Sequence, residues 1–149
     1  MDSKFDRIIH HMEKLNYTWD EQFKDTGLVC EQLEKDEFQP DVIVGISRGG
    51  LIPGVMMSHK LNVPFKPVHA STRDFPHWEN YLPRPSDKKI LIVDDICDSG
   101  ETFEKLSTYI KENINHECDV RFMSLWWNNE SEFEPHYFVK EVAKFTNPV

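Results

Sequence analysis

Ile90-Leu91-Ile92-Val93-Asp94-Asp95-Ile96-Cys97-Asp98-Ser99-Gly100-Glu101-Thr102 is the stretch that decides how the rest of the chain is read. Four aliphatic residues in succession describe a strand buried on both faces, as in a parallel sheet. They run straight into an acidic, hydroxyl-rich turn. Phe103, Leu106, Tyr109, Ile110 and Ile114 then recur at helical spacing, with Glu101 and Lys105 as an i,i+4 pair. Upstream, Asp41-Val-Ile-Val-Gly-Ile46 is a second buried run. It is followed by Ser47-Arg-Gly-Gly-Leu-Ile-Pro-Gly54, a helical stretch to about Leu61, and a weaker strand at Phe65–Ala70. Before Pro40, Thr18 or Asp20 offers a cap for a helix carrying Phe23, Cys30 and Leu33. Phe5, Ile8, Ile9, Met12 and Leu15 mark an amphipathic helix ahead of it, so residues 1–38 read as helical territory. Downstream, Val120–Trp127 and His136–Val142 supply two more strands. Strands alternating with helices imply an α/β domain with a mostly parallel central sheet flanked by helices.

The 149 residues suit one domain, 1–149, with no repeat or internal boundary. Lys and Arg number 17 against 26 Asp and Glu, a net charge of −9, which argues against nucleic acid or an anionic membrane as partner. The cysteines Cys30, Cys97 and Cys118 share no C-x-x-C spacing and are odd in number, so a disulfide scaffold or zinc ribbon is disfavoured and a reducing cytoplasm fits. No apolar run approaches the length of a membrane span, and Met1-Asp-Ser-Lys4 lacks a signal-peptide core. The expectation is a soluble, cytoplasmic protein.

In open α/β sheets, ligands collect at the carboxyl ends of the strands, and two strands here end in chemically loaded loops. In the first, Ser47-Arg48-Gly49-Gly50, paired glycines let backbone N–H groups approach an anion and Arg48 offers a planar fork for phosphate oxygens. A plain turn would also explain the glycines. In the second, Asp94 and Asp95 repel each other unless a cation or hydroxyl groups answer them. A sugar diol supplies such hydroxyls, and Mg²⁺ satisfies carboxylate oxygens while keeping several waters. Ser99, Gly100 and Thr102 open a helix with free N–H groups and hydroxyls, a cradle for a phosphate dianion. The competing reading makes these aspartates caps and the Ser and Thr turn formers.

The segment Ile90–Thr102 resembles the motif of the type I phosphoribosyltransferase family: an aliphatic strand, two acidic residues, a spacer, then Asp, Ser or Thr, Gly, any residue and Thr. The Ser47–Gly54 loop and the Thr18-Trp19-Asp20 helix start are similar to the bacterial xanthine–guanine branch. The resemblance runs from about residue 17 to about residue 140. It implies Mg²⁺-dependent transfer of a phosphoribosyl group from phosphoribosyl pyrophosphate to a nucleobase, a 6-oxopurine such as xanthine, guanine or hypoxanthine. By that resemblance Asp94 and Asp95 hold the ribose hydroxyls, with Asp95 ahead of Asp94 as the metal contact. Asp98 stands beside the anomeric carbon and the base as a catalytic residue, a general base or a partner of the base's N7. Asp98, Ser99, Gly100, Glu101 and Thr102 take the 5′-phosphate, and Ser47, Arg48, Gly49 and Gly50 take pyrophosphate. Ser71, Thr72 and Arg73 match a mobile catalytic loop, so the polar segment 71–89 reads as a lid and Arg73 as a second pyrophosphate clamp, or equally as a solvated arginine.

Two departures stand out. Purine-specific relatives carry a lysine at the end of the strand after the acidic motif. Here that strand ends Met123-Ser-Leu-Trp-Trp-Asn-Asn129, and the aligned position falls on Trp127, give or take one residue. Trp126 and Trp127 are therefore candidates to stack on the base, or plain packing residues. The chain also stops at Asn147-Pro-Val149, so the hood that closes over the base in that branch is expected to be short or missing. Relatives form dimers or tetramers, so a homo-oligomer is expected. The rival from another class is a non-catalytic sensor binding the sugar donor or a nucleotide on the same fold.

Overall fold

The computed structural model describes residues 17–47, 49–69 and 82–143, with the side chain of His69 left out. The expected helix over Phe5–Leu15, the residues Arg48, Ser71, Thr72 and Arg73, and the last six residues lie outside this set.

The first helix, α1, spans Trp19–Lys35. Thr18 caps it, its hydroxyl accepting from the Glu21 N–H at 3.1 Å, and Asp20 and Glu21 place negative charge in the first turn where the helix dipole favours it. Strand β1 is Val42–Ser47, helix α2 Leu51–Leu61 and strand β2 Phe65–His69. Then come β3 (Lys89–Cys97), α3 (Glu101–Asn113), β4 (Asp119–Asn128) and β5 (Lys140–Val142). The five strands pair in the order β2-β1-β3-β4-β5, and every pairing among them is parallel.

The order explains the layering. From β1 the chain crosses through α2 to β2 on one side, whereas from β3 it crosses through α3 to β4 on the other. Right-handed crossovers in opposite directions put their helices on opposite faces of the sheet. One face buries Val29, Leu33, Ile43, Met57, Leu91, Val93 and Leu125 with α1 and α2. The other buries Val44, Ile90, Ile92, Phe103, Leu106 and Ile110 with α3. Alternate residues of β3 feed the two cores, which is why its sequence is continuously aliphatic.

Two elements differ from the sequence reading. The acidic pair was expected in a loop after Val93, but β3 continues through it, with Asp94 opposite Ser124, Ile96 opposite Trp126 and Cys97 opposite Trp127. Pairing with the long neighbour β4 carries the extended backbone past the apolar run. The last strand, expected over His136–Val142, is regular only over Lys140–Val142, preceded by an isolated bridge between Met123 and Tyr137. The His136 ring takes the place of ladder backbone there, its Nδ1 accepting the Phe122 N–H at 3.0 Å. Within the expected 71–89 loop, the part that is described is fastened down. Leu82 is buried, its carbonyl accepts from Lys66 Nζ at 2.9 Å, and the Asn115 amide donates to the carbonyls of Pro85 and Asp87.

Candidate active site

Parallel strands deliver all their carboxyl ends to one edge, and the chain reverses direction across the sheet between β1 and β3. Such a switch point opens a crevice between the loops that follow the two strands. Here the crevice is occupied by both segments singled out above. A Cβ on Gly49 would collide with the Asp95 carboxylate, and one on Gly50 with the Val93 carbonyl. The β1 loop therefore lies directly against β3, and only a residue without a side chain lets Asp95 reach its backbone.

Asp94 and Asp95 follow one another on β3, and their carboxyls are close enough to interact with each other. The Asp95 carboxylate lies against Gly49. The Asp94 Oδ1 accepts the Asp95 N–H at 2.8 Å. Removal from water, then the neighbouring Asp95 charge, holds the Asp94 carboxyl well above the usual carboxylate range. Burial raises Asp95 as well, against the hydrogen bonds that favour its charged form. Two carboxyls strained in this way are a standing demand for a cation or hydroxyl donors. Cys97 lies between Asp94 and Asp98 in the chain. Burial and those two negative charges push its thiol up to about 12, so it is a neutral packing group rather than a nucleophile.

After β3 the turn Asp98-Ser99-Gly100 launches α3. Gly100 adopts φ +77°, and a Cβ there would strike the Phe133 ring. No side chain caps α3 at Gly100. The Ser99 hydroxyl accepts the Glu101 N–H at a long 3.3 Å, and Ser99 and Thr102 are exposed. The Glu101 carboxylate swings to Lys105 at 2.9 Å, which turns its charge away along the helix. A helix N-terminus with exposed hydroxyls in its first turn is suited to an anion.

Trp126 and Trp127, the candidates to stack on a base, each have packing partners. Trp126 is buried in the α1-side core with Tyr17 edge-on at 5.3 Å. Trp127 donates its indole N–H to the Phe133 carbonyl at 2.6 Å and leans on Phe138. Sequence reasoning passed over two residues beside the site. Phe133 packs on Gly100, Phe103 and Phe122 and ties the segment after β4 to the phosphate turn. Asn128, the last residue of β4, donates Nδ2–H to Asp98 Oδ1 at 2.7 Å. The only signal for it in the sequence was its place within one residue of the lysine of the purine enzymes.

A family model for the phosphoribosyl transferase domain matches residues 20–149. The chain belongs to that family. Xanthine-guanine phosphoribosyltransferase of Cereibacter sphaeroides is 31% identical over 115 residues, covering 66% of each chain. The protein of the same name from Chromohalobacter salexigens is 28% identical over 143 residues, 92% of this chain and 82% of its own. Among solved structures, the purine phosphoribosyltransferase of Pyrococcus horikoshii superposes with a TM-score of 0.71 at 29% identity, covering 85% of this chain and 86% of that one. Xanthine-guanine-hypoxanthine phosphoribosyltransferase of Helicobacter pylori, 20% identical, shares the fold with a TM-score of 0.73 over 86% of each chain. These four relatives are phosphoribosyltransferases by name, and each name includes a purine.

The residues present fit Mg²⁺ held the way this family's reaction needs it. Among the described residues no group of three or more His, Cys, Asp or Glu side chains forms a cage. What exists is a pair of strained carboxyls, one seated on a glycine backbone. That is the donor set for an ion that keeps most of its waters and takes its other oxygens from substrate. No helix among the described residues is long and apolar enough to cross a membrane.

Proposed function

We propose that this phosphoribosyltransferase transfers the 5-phosphoribosyl group of phosphoribosyl pyrophosphate to a 6-oxopurine, releasing pyrophosphate. The observation that carries the reading is the contact between Gly49 and Asp95, which brings a pyrophosphate-type loop and a ribose-type acidic motif into one crevice.

In this reading the N-terminus of α3, from Gly100 to Thr102 with the Ser99 and Thr102 hydroxyls, holds the 5′-phosphate. Asp94 and Asp95 accept from the ribose hydroxyls, and Asp95 also faces the metal. Gly49 and Gly50, with Ser47 and Arg48, line the pyrophosphate side, and Arg73 is the candidate second clamp. The bond from C1 to the pyrophosphate oxygen breaks with its electron pair leaving on pyrophosphate. A ring nitrogen of the base forms the new bond to C1, and its proton passes to a carboxylate or to water. Asp98 lies at the turn where that carboxylate is needed, and its negative charge favours the positive charge that develops on the ribose. Mg²⁺, when bound, neutralises charge on the pyrophosphate oxygens. Three buried free cysteines suit a cytoplasmic protein, and a homodimer or homotetramer is the expected assembly.

The test is pyrophosphate release with Mg²⁺, the sugar donor and a panel of bases. Release with guanine, hypoxanthine or xanthine is expected. Binding of the donor without turnover on any base would instead make the protein a sensor. Asp98→Asn should lower kcat by about 10²–10⁴-fold, the usual range for a lost acid–base group, with donor affinity nearly unchanged. Equal loss in both would give Asp98 a structural role.

A further inference from the structure

We propose that Asn128 is the positioning residue of Asp98, a neutral donor at the carboxyl end of β4 that fixes the carboxylate without cancelling its charge. The kinetic meaning of the proposal rests on the reaction proposed above. The geometry does not.

A carboxamide is nearly symmetric in shape, so its neighbours decide which end faces which. The Asn128 Oδ1 accepts the backbone N–H of Glu130 at 3.1 Å, a partner that can only donate. That commits the oxygen end and leaves Nδ2 to face Asp98 Oδ1 at 2.7 Å. A flipped amide would set N–H against N–H on one side and oxygen against carboxylate on the other. The side chain is buried, and its backbone is held too: the Asn128 carbonyl accepts from Ser131, and the next residue donates its N–H to the Val142 carbonyl of β5 at 3.1 Å. Asp98, by contrast, stands on a turn. The bond spans 30 positions in sequence and references a turn residue to the central sheet.

The chemistry of the donor matters. An ammonium in the same place would pair with Asp98 and offset the negative charge that the developing ribosyl cation needs. A second carboxylate would repel it. An amide N–H orients one oxygen and leaves the net charge on the group intact. A misplacement of about 1 Å in a group that meets the reacting atoms costs about 10²-fold in rate, which sets the scale for losing this bond.

Asn128→Ser is the main variant, because a serine hydroxyl can still accept the Glu130 N–H and keep the turn while falling short of Asp98. Asn128→Asp, of equal size, replaces the donor by a charge and guards against a packing explanation. Each should lower kcat by about 10–100-fold, with donor affinity within about twofold of wild type. In an Asp98→Asn background, Asn128→Ser should cost less than about twofold more, since coupled residues do not add. An unchanged kcat, a loss confined to donor affinity, or a full additional loss in that background overturns the proposal.

A second readout needs no turnover. The ¹⁵N-edited spectrum of the resting protein should show the Asn128 side-chain protons split widely, with one proton displaced downfield, and Asp98→Ala should collapse that splitting. A spectrum insensitive to Asp98→Ala overturns the positioning role. If wild type instead turns over no base while the spectrum responds, the reaction is wrong and the pairing stands.

Discussion

Asp94 and Asp95 show most directly how position sets chemistry. Their unfolded pKa is about 3.9, and burial raises both in the fold, with mutual repulsion adding to the shift at Asp94. Between the unfolded and folded values the native state binds more protons than the unfolded chain, so stability falls as pH rises through that window. The contribution is complete below about pH 4 and is lost as pH rises through the raised folded values. Asp94→Asn should therefore raise the thermal midpoint of the ligand-free protein at pH 7, by about 2–4 °C for each kcal/mol relieved, and flatten the fall above pH 4, while abolishing turnover. Calorimetry across that range decides it, and a variant midpoint at or below wild type at pH 7 would show that the pair is not under strain. Gly100 is the opposite case, a residue whose value is the absence of a side chain. Its φ of +77° and the Phe133 ring both exclude a Cβ. Gly100→Ala should cost about 1–3 kcal/mol by chemical denaturation, and adding Phe133→Ala should recover none of the backbone share.

Among the elements, the joint between α1 and the β4–β5 edge is held by a buried charge. Asp25 on α1 is 3% exposed and receives both the Tyr17 hydroxyl at 2.8 Å and Lys140 Nζ at 2.7 Å, while Lys140 also reaches Glu21 at 3.2 Å. The ammonium stands over the Tyr17 ring. Burial and the Asp25 carboxylate raise the Tyr17 hydroxyl far above its ordinary value, so it stays a donor. Removing the lysine leaves Asp25 buried with its charge uncompensated. Lys140 itself is half-buried, so Lys140→Met should cost less than a fully buried pair, about 1–3 kcal/mol in urea unfolding. Asp25→Asn in the same chain should return part of that. If Lys140→Met is neutral, the joint is held by packing alone.

For the whole molecule, the doubly wound order β2-β1-β3-β4-β5 makes binding and folding a single equilibrium. The proposed ligand touches loops after β1 and β3 and the start of α3, segments scattered along the chain and brought together only in the native state. Phosphoribosyl pyrophosphate with Mg²⁺ at about 100 times its Kd should add about 2.7 kcal/mol, which for a chain of this size is a rise of about 5–10 °C in the thermal midpoint. Scanning fluorimetry with and without the donor measures it. A rise with Mg²⁺ alone equal to that with both would place the stabilisation in the metal and not in the sugar.

The amino-acid sequence by itself determined the α/β class, the buried strands at residues 41–46 and 90–93, the cap at Thr18 and the acidic and glycine motifs, because these are local: apolar runs, helical spacing and turn chemistry act over a few residues. It marked Asp94, Asp95 and Asp98 by residue type alone. Only the tertiary structure decided that the acidic pair lies on a strand, since β4 had to be alongside to extend β3. The same holds for the seat of Asp95 on Gly49, the Phe133 ring over Gly100, the packing of Trp126 and Trp127, and the bond from Asn128 to Asp98. Apart from the packing of Trp127, each of these joins residues at least 25 positions apart, and no local pattern encodes such a meeting.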